Sequence, residues 1–184
     1  MKGSAMNAQI VEPYASALMD LADKIDKVDQ FAENARALLT ALDNSPEFSE
    51  FVSNPLLNAE EKKDVLGRIC GRDVDEYFLN FLYLLVDRRR IFFLGGVLEE
   101  FIAQQRRLKN IVLAEVTTAS ELTRDQEDAI ADKVKAMTDA ASVELKITTD
   151  ESLIGGVIIK VGSQVLDASL KGQLRRISMG LLGS

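Results

Sequence analysis

Tyr77-Phe78-Leu79-Asn80-Phe81-Leu82-Tyr83-Leu84-Leu85-Val86 is apolar at nine of its ten positions, with Asn80 the exception. A surface helix keeps one solvated side, so a helix that is apolar all round has to be enclosed. Ten residues fall well short of the ~20 that span a bilayer, so protein must do the enclosing. Asp73, Asp75 and Glu76 precede the stretch and Arg88, Arg89 and Arg90 follow it. Acidic residues suit the positive end of a helix dipole and basic residues the negative end, which marks both limits of one helix.

Upstream of it the chain reads as helix after helix. Ile10, Tyr14, Ala17, Leu18 and Leu21 step along one helical face, and Val11, Ala15 and Ala22 form a second, so this first helix is also apolar over a wide arc. Pro13 is expected only within a first turn, which places the helix start near Val11 or slightly before. Val28, Phe31, Ala35, Leu38, Leu39 and Leu42 carry a second helix. Ser45-Pro46 opens a third and Asn54-Pro55 closes it, a capping side chain with proline at the first helical position. Asn58 with Glu61 starts a fourth. A sixth carries Leu94, Val97, Leu98, Phe101 and Ile102, its beginning weakened by Gly95-Gly96.

Near Asn110 the period changes. Ile111–Thr118 is β-branched, Val143, Leu145 and Ile147 alternate with polar residues, and Val157–Val161 is a third strand. Thr123 with Gln126 forms a capping box ahead of a helix. Gly162-Ser163 predicts a two-residue turn returning the chain through Gln164–Leu166. Leu170, Leu174, Ile177 and Leu181 mark a final helix. The expected architecture is mainly α: a six-helix N-terminal bundle over residues 1–110, then a small α+β domain over 111–184.

Composition narrows function. The absence of His excludes Ser–His and Cys–His nucleophile pairs, His-ligated zinc and imidazole bases. With 29 Asp plus Glu against 22 Lys plus Arg, a net charge of −7 argues against nucleic acid. One Cys makes no internal disulfide. Cys70 sits on an apolar face and reads as a structural thiol. The N-terminus carries no targeting character, and no apolar run suggests membrane insertion. Gly155-Gly156 lacks the lysine and the following helix of a phosphate loop, so it reads as a turn. Asp73 and Asp75 leave one enzymatic alternative, a carboxylate-dependent Mg²⁺ site; a generic helical adaptor or chaperone-like protein is another. The leading reading is binding, and the apolar excess leaves two accounts open: the fifth helix is the enclosed centre of the bundle, or the first and fifth helices form a groove for an amphipathic helix from another protein. Burying three or four side chains there, at about 1.5–3 kcal/mol each, offsets the cost of association.

Three blocks carry a resemblance. They are Val11-Glu12-Pro13-Tyr14-Ala15-Ser16-Ala17-Leu18; Asn80-Phe81-Leu82-Tyr83-Leu84-Leu85-Val86-Asp87-Arg88-Arg89-Arg90; and Ser152–Gly162 with Val165–Leu174. In this order they resemble the delta subunits of F-type ATP synthase, the oligomycin-sensitivity-conferring protein family, and the N-terminal stretch is most similar to its cyanobacterial or chloroplast branch. The family-motif positions are Gly155, Gly156, Gly162, Asp167, Ser169, Gly172 and Leu174. The resemblance implies a non-catalytic stator part without a cofactor or metal, a monomer within a hetero-oligomer that couples hydrogen-ion transport to ATP synthesis. It implies that the helical domain grips N-terminal helices of the catalytic head's alpha subunits through Tyr14, Ala17 and Leu84, to which periodicity adds Leu18. The C-terminal domain would hold b-type peripheral stalk subunits around Val157–Leu182. The implied location is peripheral, on the cytoplasmic or stromal face of a plasma or thylakoid membrane.

Overall fold

The computed structural model describes residues 2–71 and 74–174. The chain is mainly helical with a small four-stranded sheet, and divides into two compact units, Met1–Gln105 and Arg106–Ser184.

The helices of the first unit are α1 (Lys2–Lys24), α2 (Val28–Asn44), α3 (Pro46–Ser53), α4 (Ala59–Cys70), α5 (Glu76–Asp87) and α6 (Leu94–Leu108), the last entered through a 3₁₀ turn at Ile91–Phe93. Side-chain caps set three of their starts. The Ser45 hydroxyl accepts from the Phe48 N–H, with Pro46 at the first position of α3. Asn58 and Glu61 form a reciprocal capping box on α4, and Asp75 caps α5 by accepting from the Tyr77 N–H. One cluster of buried side chains draws on all these helices, including Leu18, Phe31, Phe48, Leu66, Phe78, Leu82, Leu98 and Phe101. Phe31 meets Phe78 edge to face, ring centres 5.3 Å apart.

Pro13 departs from expectation. The helix does not start near Val11; α1 runs from Lys2, and Pro13 lies inside it. A mid-helix proline removes a hydrogen bond to the carbonyl four residues back. Here that residue is Gln9, and both it and Pro13 are exposed, where water replaces the lost donor. The two glycines that weaken α6 also have a packing role. A Cβ on Gly96 would come within 3.2 Å of Val11 Cγ2, so glycine permits the close approach of α6 to α1.

In the second unit β1 (Ile111–Thr118) is followed by α7 (Arg124–Thr138), β2 (Ser142–Thr149), β3 (Val157–Val161) and β4 (Gln164–Asp167). The sheet order is β2-β1-β3-β4. β1 and β2 run parallel, as a crossover through α7 requires, with Ile111 opposite Ser142. β3 pairs antiparallel with both β1 and β4. The two-residue turn expected at Gly162-Ser163 is present, with φ of +56° at Gly162 and Val161 opposite Gln164. Ala114, Val116, Val134 and Ile159 form the core. The alternation expected of β2 fades along the strand: Val143 and Leu145 are half-buried, whereas Ile147 is exposed on this edge strand.

Candidate functional site

The apolar excess of α5 resolves into two ridges. Phe78, Leu82 and Leu85 are wholly buried and face the core. Tyr77, Asn80, Phe81 and Leu84 instead line a groove of about 420 Å³, opposite Pro13, Tyr14, Ala17 and Leu21 of α1. Both sets follow the three- and four-residue steps of a helix face. Tyr77 is 51% and Leu84 42% exposed, high for large apolar side chains adjoining a core. Ala17 is exposed and carries only a methyl group on the same wall.

Of the residues expected here, Tyr14, Ala17 and Leu84 lie together along the groove. Leu18 does not. Its exposure is zero, and it packs into the core with Ala15 and Ala22. Leu21, one position from the next core-facing residue, takes the groove position instead. Periodicity marks both residues as apolar without saying which side of a doubly apolar helix meets the rest of the chain.

Tyr77 is held at its end of the groove by contacts that sequence reading missed. Lys27 donates to Asp75 at 2.6 Å and sits 6.0 Å from the centre of the Tyr77 ring, within reach of a cation–π attraction. Asp75 in turn accepts from the Tyr77 N–H. Burial pushes the Asp75 carboxyl up, but the Lys27 ammonium and the Tyr77 N–H outweigh it and hold the pKa below the usual carboxylate range. No local pattern connects residues 48 positions apart. This contact also occupies the one described carboxylate of the Mg²⁺ alternative; Asp73 lies outside the described residues. Among the described residues no cluster of three or more His, Cys, Asp or Glu is placed to hold a metal. Cys70 is 4% exposed and desolvation raises its thiol pKa, the reverse of an activated nucleophile.

The closing block forms one knot of turns. Asp167 Oδ1 accepts from both the N–H and the hydroxyl of Ser169, at 2.9 and 2.6 Å. Ser169 Oγ then accepts from the Gly172 N–H at 3.0 Å, capping the helix that begins at Leu170. A side chain at Gly172 would collide with the Asp167 carboxylate, and one at Gly156, where φ is +81°, with the Ala168 carbonyl. These positions therefore fit the backbone together, while Leu174 is 59% exposed.

Residues 10–181 match the family profile described as ATP synthase delta (OSCP) subunit. The chain belongs to that family. It is 67% identical to the ATP synthase subunit delta of a Picosynechococcus species over 184 residues, covering the whole of both chains. It is 53% identical to that of Crocosphaera subtropica, again over the full length of both. Among solved structures it resembles a chain of the Toxoplasma gondii mitochondrial ATP synthase hexamer, with a TM-score of 0.73 and 27% identity over 92% of this chain and 96% of that one. Delta subunits are non-catalytic structural subunits of ATP synthase, serving ATP synthesis and ion transport. Among the described residues no helix is long and apolar enough to cross a membrane, and cyanobacterial delta subunits associate with it peripherally.

Proposed function

We propose that this chain is a stator adaptor that ties the catalytic head of the synthase to its peripheral stalk, resisting rotation of the head while the rotor turns inside it. The helices of residues 1–110 act as one six-helix bundle that caps the head, and residues 111–184 hold the b-type stalk subunits. The α1/α5 groove receives an N-terminal helix of an alpha subunit against Tyr14, Ala17 and Leu84, with Leu21 and Phe81 beside them. The subunit acts as a monomer within the hetero-oligomer, at the cytoplasmic or stromal face of a plasma or thylakoid membrane.

The observation carrying this reading is the second apolar ridge of α5, which the protein's own core leaves exposed at Tyr77 and Leu84. An amphipathic helix presents side chains at the same three- and four-residue steps and fills such a groove without a change in backbone. Calorimetry of the full chain with a peptide copying the alpha-subunit N-terminus tests it. Tyr14→Asp should weaken binding strongly, because docking would bury an unpaired carboxylate. Absence of heat, or an unaffected variant, removes the groove assignment. Recovery of alpha and b subunits together from a lysate separates this role from that of a generic adaptor.

A further inference from the structure

A second pocket in the first unit, of about 570 Å³, has a different character. It lies among the α3–α4 connection, the start of α4, the end of α5 and the 3₁₀ turn, and Lys62, Arg89, Val52, Val86, Leu56 and Phe92 contribute to its lining. Its charged lining among the described residues is two cations with no Asp or Glu, in a chain whose net charge is −7. Lys62 is only 7% exposed, and its Nζ donates to the Val52 carbonyl at 3.0 Å. Neither cation is in an ion pair among the described residues. Buried ammonium groups are ordinarily paired, because desolvation penalises the charge, and here burial lowers the Lys62 pKa. Lys62 also sits in the first turns of α4, where the helix dipole opposes a cation.

Arg89 supplies the second cation of the lining. It occupies φ of +55° just past the end of α5, a position that usually takes glycine because a Cβ is strained there. Leu56 and Phe92, 90% and 63% exposed, supply apolar walls.

We infer that this pocket binds a carboxylate carried on an apolar chain, the anion meeting Lys62 and Arg89 and the chain lying against Leu56 and Phe92. A single negative charge matches the one buried cation, and the Arg89 guanidinium presents the fork that carboxylates accept. Inorganic phosphate carries no apolar part to lie against Leu56 and Phe92. The carboxylate has two sources, a free amphiphilic acid or a Glu flanked by apolar residues on a neighbouring polypeptide.

The test is an NMR titration of the full chain with octanoate, octanol and inorganic phosphate. Octanoate should saturate with shifts at Asn58, Val86 and Phe92, at least about tenfold more tightly than octanol or phosphate, each extra tenfold being one unit of log Kd. Lys62→Met keeps the stem and loses the charge, and should weaken octanoate about tenfold or more, the loss of a charge-assisted contact. Arg89→Gly should weaken it too while raising the melting temperature, since glycine relieves the positive φ; a purely structural arginine would show only the second effect. An acetylated Leu-Glu-Leu peptide and its Gln counterpart identify the source: tighter binding of the Glu peptide than of octanoate assigns a polypeptide, weaker binding a free acid. Octanoate no better than octanol, phosphate binding equally well, or Lys62→Met without effect would overturn the inference. Binding of the alpha-subunit peptide at the α1/α5 groove should be unchanged in both variants, so the two sites fail independently.

Discussion

Leu84→Ala probes the groove with a magnitude that follows from its exposure. Full burial of a leucine side chain contributes about 1.5–3 kcal/mol. Leu84 is 42% exposed, so its covered part supports the fold and its open part is available to a partner. Truncation should cost roughly 0.9–1.7 kcal/mol of stability, which a domain stable by about 5–15 kcal/mol survives. It should cost a further 0.6–1.3 kcal/mol, roughly, of partner binding, or about three- to ninefold in Kd. Leu84→Asp places an unpaired carboxylate under the docked helix and should weaken binding by about a hundredfold or more. The assay is calorimetry of each full-length variant with the alpha-subunit N-terminal peptide, after circular dichroism has confirmed folding. Phe92→Ala, away from this groove, serves as control and should bind as the parent does. If Leu84→Ala stays within twofold of the parent and Leu84→Asp still binds, the ridge along α5 is not the contact and the reasoning fails.

Asp75→Ala removes the α5 cap and the partner of Lys27, and should lower stability at neutral pH by about 0.5–2 kcal/mol in urea unfolding. The folded pKa of Asp75 lies below its ordinary value, so this contribution is complete above that value and is lost as pH falls through the folded pKa. The gap between parent and variant should therefore close below about pH 4. Gly156→Ala forces a side chain at φ of +81° against the Ala168 carbonyl, and should destabilise the second unit by at least about 1–2 kcal/mol, read as a lowered melting temperature. Ser169→Ala loses the cap that accepts from Gly172 and should cost about 1 kcal/mol, seen as faster amide exchange at Gly172.

What could be read without coordinates was local. Ser45-Pro46, Asn58 with Glu61, and Thr123 with Gln126 announce helix starts because each cap is made within four residues. Gly162-Ser163 announces its hairpin for the same reason. The apolar excess of α1 and α5 was equally plain, since it follows from composition along a known period. Which apolar side turns inward is a different matter. Leu18 and Leu21 look alike along the chain, yet one is wholly buried and the other lines the groove. Pro13 stays in mid-helix because Gln9 and Pro13 both end up at the surface. The Lys27–Asp75–Tyr77 contact, the pairing of Lys62 with Arg89 in one pocket, and the sheet order β2-β1-β3-β4 all join distant positions. Helix and strand period, caps and turns are short-range steric and hydrogen-bonding properties, so they were already present in the order of residues. Facing, burial and neighbourhood arise only when helices compete for one core, and that competition is settled by packing in three dimensions.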